Sequence, residues 1–194
     1  YKLYVFLNAF YVAPDRRTAI QAKLARNGAT ALFLYAPGYL GPDGESLEGM
    51  QALTGIRIAR DDREGRPQIV LEPGDPLAQG FPVQPPLGDP RLTVSPLFYA
   101  DDPDARIAGR LVESQRAGLV VKKAAGWTSI YSSAMPLPPC LMRSIARSAG
   151  VHVWIATDDA LYTDGQYAGV HAASDGVKTL HLPDELNVID EIGR

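Results

Sequence analysis

With 194 residues, 46% of them hydrophobic and 21% charged, the chain can bury a full core without disulfide or metal staples. A formal net charge of −3 excludes electrostatic recruitment to nucleic acid or anionic membrane, and a single cysteine excludes an internal disulfide framework. Nowhere do about 18 apolar residues run together, so no membrane-spanning helix is expected.

Lys2 to Leu7 is a short apolar run ended by Asn8, the pattern of a strand buried on both faces. Pro14 and Asp15 open a helix, where the missing proline N–H costs nothing, and Asn27-Gly28 closes it. Ala29 to Tyr35 is a second buried strand. Two such strands joined by a helix must run parallel. Ser46 is placed to cap a short helix carrying Leu47, Met50 and Leu53 on one face. From Gly55 to Pro90 the chain turns to dense Pro, Gly and charge, which predicts irregular, surface-lying structure with one strand at Gln68 to Leu71.

Leu92 to Tyr99 and Ala105 to Leu111 read as extended. Gly118 to Lys122 and Trp127 to Ser132 form a hairpin across Lys123 to Gly126. Pro138-Pro139 starts a helix whose Leu141, Met142, Ile145 and Ala149 face inward and which Gly150 closes. Val151 to Ala156 is predicted as a further strand. Leu161 to Leu182 alternates, with Asp164-Gly165 and Asp175-Gly176 as hairpin turns, so a small antiparallel meander is expected. Its second hairpin would set His171 against Leu180 and His181 against Val170. The expected fold is α/β: a mostly parallel sheet flanked by helices over residues 1–157, followed by a β-meander appendage over 158–194.

The place to look for chemistry is the loop after the second strand, because α/β proteins bind ligands beyond the carboxyl ends of strands. Here that loop is Tyr35-Ala36-Pro37-Gly38-Tyr39, with no Ser, Cys, Thr or Asp before Asp43. The stretch from Pro37 to Gly44 is rich in glycine yet lacks both the P-loop Lys-Ser/Thr and the dinucleotide fingerprint. It serves as a connection or as a ligand-contacting loop. Cys140 falls in the first turn of a helix after two prolines, away from any nucleophile elbow. Asp61-Asp62, Asp101-Asp102-Asp104 and Asp158-Asp159 read as solvated loops, the last pair being the nearest to a functional one because it follows a strand. The histidines (His152, His171, His181) have no metal-ligand spacing, so no metal and no cofactor is expected. Tyr35, Tyr39, Trp127, Tyr131 and Trp154 offer aromatic faces to a sugar or, more simply, to the core. The candidate ligand-contacting residues are Tyr35, Gly38, Tyr39, Trp127 and Asp158.

Residues 1–41, YKLYVFLNAFYVAPDRRTAIQAKLARNGATALFLYAPGYLG, resemble the opening of the middle, or trimerisation, domain of family-42 β-galactosidases. Met50 to Ile56, Asp104 to Lys122, Trp127 to Ser132 and Leu141 to Val151 resemble later parts of the same domain. The resemblance implies a class I glutamine amidotransferase-like fold. It places Ala36 where an amidotransferase has its cysteine, and Ser132, Ser133 or Ala134 where it has its histidine, so amidotransferase chemistry is not implied. It also implies a strand and helix ahead of Tyr1, missing here or supplied upstream; with the non-Met start, this predicts a piece of a longer polypeptide. The implied function is a non-catalytic accessory or oligomerisation domain of a glycoside hydrolase, giving subunit contacts or one wall of a sugar site. Its implied partners are further copies, an upstream glycosidase barrel and carbohydrate. The alternatives are a stand-alone hydrolase or amidotransferase-like enzyme using Cys140 or Asp158-Asp159, and a small-ligand binder using the loop from Pro37 to Gly44. The compartment, cytoplasmic or exported, is left open by the residues.

Overall fold

The computed structural model describes residues 1–79, 86–185 and 187–189. In chain order the elements are β1 (Leu3–Phe6), α1 (Pro14–Arg26), β2 (Thr30–Leu34), β3 (Leu40–Gly41), β4 (Gly44–Glu45), α2 (Leu47–Thr54), β5 (Ile58–Asp61) and β6 (Ile69–Leu71). A 3₁₀ turn (Pro76–Ala78) follows, then β7 (Leu97–Ala100), β8 (Arg106–Leu111), β9 (Ala117–Ala124), β10 (Trp127–Ser132), α3 (Pro139–Ser148), β11 (Ala160–Thr163) and β12 (Ala168–His171).

The main sheet has eight strands and runs β1-β2-β10-β9-β7-β5, with β8 paired to β9 and β6 paired to β8. β1, β2 and β10 are parallel, as the β1-α1-β2 crossover requires; the remaining pairings are antiparallel. The α/β fold is therefore present, as a mixed sheet whose parallel part occupies one side. β11 and β12 form a separate antiparallel hairpin.

Alternation along β2 builds two cores. Ala31 and Phe33 face α1 and α2, meeting Leu24, Met50, Leu53, Phe98, Val120, Trp127 and Tyr131. Leu32 and Leu34 face α3 and the 3₁₀ turn, meeting Ile69, Leu77, Leu119, Ile130, Leu141 and Ile145. The helices follow their sequence signals. Pro14 occupies the first turn of α1, Ser46 Oγ accepts from the Gly49 amide at 2.9 Å to cap α2, and Gly55 ends α2 in the left-handed region.

Four local expectations are corrected. The stretch from Gly55 to Pro90 is not merely surface-lying: β5 pairs with β7, and Ile69, Leu71, Leu77 and Leu87 are buried. Val151 to Ala156 forms no strand, only a single bridge from Ile155 to Leu180. The tail hairpin pairs His171 with Ala160, and the second turn at Asp175-Gly176 closes no ladder. Finally, β1 is not a doubly buried strand. Among the described residues it is an unpaired edge of the sheet, with Val5 39% and Leu7 64% exposed.

Candidate functional site

The carboxyl ends of β1, β2 and β10 lie side by side, the position where an open α/β sheet offers a site. Directly after β2 the backbone of Tyr35 turns into the left-handed region, with φ +61°. A non-glycine residue held there is strained and needs its surroundings to fix it. They do: the Tyr35 amide donates to Ser132 O at 2.8 Å, and its carbonyl accepts from the Tyr131 hydroxyl at 2.7 Å. Its own hydroxyl donates to Pro96 O at 2.9 Å, and its ring packs edge-on against Phe98 and Phe10. Burial pushes both the Tyr35 and Tyr131 phenols up, so each acts as a neutral donor.

The elbow therefore falls on Tyr35, one residue before the Ala36 that spacing from Gly38 indicates. Ala36 is buried. Across from it, Ser132 donates to Ala134 O at 3.0 Å and Ser133 to Phe98 O at 2.6 Å, both buried. These hydroxyls brace the strand ends.

The loop after the elbow is a packing device. Gly38 has φ +70°, and a Cβ there would stand 2.9 Å from Gly49 O, so the loop and the start of α2 meet backbone to backbone. Tyr39 is buried; its hydroxyl donates to Glu45 Oε2 at 2.7 Å and accepts from Arg60. Those two partners hold the Glu45 carboxyl below its ordinary value, the Tyr39 hydroxyl first and the Arg60 guanidinium second.

Tyr35, Gly38 and Tyr39 are thus neighbours, Tyr35 and Tyr39 both edge-on to Phe98. Trp127 is not with them. It begins β10, at the amino end of the parallel strands, and is buried against Phe33. Asp158 is elsewhere again, exposed and accepting from Arg143 Nη2 at 2.6 Å. Asp159 accepts from Thr157 Oγ1, the Ala173 amide at 2.7 Å and Lys178 Nζ. The Thr157 hydrogen bond foremost, then the Ala173 amide and Lys178, holds its carboxyl below the ordinary range.

The other aspartate clusters are equally engaged. Asp61 pairs with Arg63 and Arg116, Asp62 with Arg60, and Asp102 with Lys122. Cys140 is half-buried in the first turn of α3. Among the described residues, no three His, Cys, Asp or Glu side chains converge as a metal site would need.

Beside the strand ends on the α3 side lies a groove of about 530 Å³, lined by Val5, Leu7, Asn8, Leu34, Leu92, Met135, Pro136, Leu137 and Met142. Asn8 is its one polar side chain. Hydroxyl-rich ligands need convergent donors and acceptors, which this lining lacks; aliphatic side chains of a polypeptide fit it. None of these residues stands out in the sequence as a site, because they come from five separate stretches. The one local signal is Leu7, an apolar residue carried past the end of the strand.

No family model matches the chain, and no curated protein matches it. Solved structures do. The β-galactosidase from Rahnella sp. R3 superposes with a TM-score of 0.58 at 13% identity, over 85% of this chain and 26% of that one. The fold is that of the family-42 middle domain. The β-galactosidase from Bacillus circulans sp. alkalophilus gives 0.54 at 16% identity, over 83% and 24% of the two chains. A GH42 β-galactosidase from G. stearothermophilus gives 0.56 at 12%, over 83% and 24%. At such identities the likeness is one of fold, and the chain spans about a quarter of the length of these β-galactosidases. The family-42 resemblance read from scattered segments thus holds as a fold over more than four-fifths of the chain.

Proposed function

We propose that this chain is a non-catalytic association domain of a glycoside-hydrolase-like protein, held to its partner polypeptide at the β1 edge. The observation that carries the reading is the union of a free parallel edge strand with the apolar groove at its carboxyl end. A free edge presents unpaired backbone groups, and the groove presents aliphatic surface; an added strand satisfies the first while its following side chains fill the second. The fold likeness to a quarter-length segment of β-galactosidases supports the wider setting, a domain working beside a catalytic barrel or beside further copies of itself. The engaged hydroxyls at the strand ends support a structural rather than a chemical use of that end.

Two measurements test it. The intact mass of the native polypeptide in its source cells is expected well above the 20.9 kDa of this chain. A native product of that mass removes the barrel from the reading. Light scattering of the 194-residue chain over rising concentration is expected to show association that Leu7→Glu suppresses. A chain that stays monomeric, with a variant indistinguishable from it, overturns the groove as a contact surface.

A further inference from the structure

The hairpin of β11 and β12 has two unlike faces. Leu161 and Val170 pair across one face and are both half-buried. On the other face Tyr162 stands opposite Gly169, and Asp164 and Tyr167 follow at the turn. Tyr162 is 70% and Tyr167 69% exposed, high values for side chains that gain so much by burial. A Cβ placed on Gly169 would meet nothing within 4 Å, so the space above Gly169, opposite Tyr162, is open. Leu161, Tyr162, Thr163, Asp164, Tyr167 and Gly169 together line a depression of about 550 Å³.

The turn that carries Asp164 is itself fixed. Asp164 Oδ1 accepts from the Gln166 amide at 2.9 Å and the Tyr167 amide at 2.8 Å, while Gly165 takes φ +94°. Its Oδ2 has no hydrogen-bond partner among the described residues, and the Tyr167 and Gln166 amides hold the carboxyl below its ordinary value. The result is a carboxylate acceptor beside two exposed tyrosines on a hydrogen-bonded turn.

We propose that this face is a saccharide-binding platform, taking a neutral hexose unit whose C–H face lies on Tyr162 and Tyr167 and whose hydroxyl edge donates to Asp164 Oδ2. The chemistry selects the ligand. An aliphatic protein partner would meet mostly aromatic and polar side chains in this depression, where Leu161 is the one aliphatic member. An acidic saccharide would meet a carboxylate on a chain of net charge −3. A hexose with an uninterrupted C–H face, such as a β-galactoside, matches ring, gap and acceptor together. The inference is independent of the association reading, because the hairpin and the β1 groove share no residues.

The test is affinity electrophoresis of the 194-residue chain in gels carrying a soluble neutral β-1,4-galactan, with saturation-transfer NMR on lactose as the solution counterpart. Galactan is expected to retard the chain, and Tyr162→Ala and Tyr167→Ala each to weaken binding roughly three- to tenfold, as loss of one stacking face implies. Asp164→Asn, which keeps the turn acceptor and removes the charge, is expected to weaken binding less. Both tyrosines are surface residues, so unchanged circular dichroism and melting certify the variants as folded. Absence of retardation with absence of transfer from lactose overturns the proposal. So does a double tyrosine variant that binds as the parent does, or a chain that binds a proline-rich peptide at these tyrosines and no saccharide. A Leu7→Glu chain that loses association while still binding galactan separates the two readings.

Discussion

A β-carbon on Gly49 would overlap the carbonyl oxygen of Gly38 and stand 3.0 Å from Arg17 Nη2. Alanine has the better helix propensity by about 1 kcal/mol, so on intrinsic grounds Gly49→Ala would stabilise α2. The obstacle is backbone, fixed by the Gly38 amide donating to Ala9 O at 2.7 Å, and cannot swing aside as a side chain could. Overpacking of this kind costs about 1–3 kcal/mol. Net destabilisation of up to about 2 kcal/mol is expected for Gly49→Ala in urea denaturation; a stabilised variant would show that the loop is free to move away from α2. The residues of the Pro37 to Gly44 loop show what sequence can and cannot reveal about a site. Their glycine content is legible, and so is the position beyond a strand. That Gly38 serves a backbone contact with Gly49, or that Tyr35 rather than Ala36 takes the strained turn, depends on groups 11 residues and about 100 residues away. No local pattern announces either.

Elements with strong local signals formed where their residues indicate. α2 begins after Ser46 and ends at Gly55, and β10 spans Trp127–Ser132 as its β-branched and aromatic content implies. β5 was hidden because IARD holds one fully apolar position of use; the strand exists through its ladder to β7. The converse holds for Val151 to Ala156, whose strong β propensity yields only the bridge from Ile155 to Leu180. What organises that tail instead is the Asp159 carboxylate, gathering Thr157, Ala173 and Lys178 around it. Because the folded chain holds Asp159 below its ordinary value, its stabilisation of the tail is complete above about pH 4, the unfolded range. It is lost as pH falls through the lower folded value. In an acid titration followed by NMR, the Ala173 amide is expected to shift with a midpoint below the ordinary aspartate value, and Asp159→Asn to abolish that step. A midpoint at or above about 4 would mean that the carboxylate gains nothing from these partners.

At the scale of the whole molecule, both faces of the sheet are covered, one by α1 and α2 and the other by α3 and the 3₁₀ turn, while among the described residues no strand pairs with the outer side of β1. Bare edges are a liability that folded chains usually blunt with charge, proline or a covering element. Between Leu3 and Leu7 this edge carries neither charge nor proline. The parallel register, with the Thr30 amide donating to Lys2 O at 2.8 Å, turns the backbone groups of Tyr4 and Phe6 toward β2. Those of Leu3, Val5 and Leu7 point outward. Amide hydrogen exchange reads this directly. In the dissociated chain, Leu3, Val5 and Leu7 are expected to exchange near the rate of unprotected peptide, while Tyr4 and Phe6 exchange with the stability of the sheet. In the associated form the outward three should slow together, since an added strand bonds alternate residues as a set. Slowing of Leu7 alone would indicate contact through the groove without strand addition. Equal exchange of all three before and after association would place the contact on another face and leave the β1 edge without a partner.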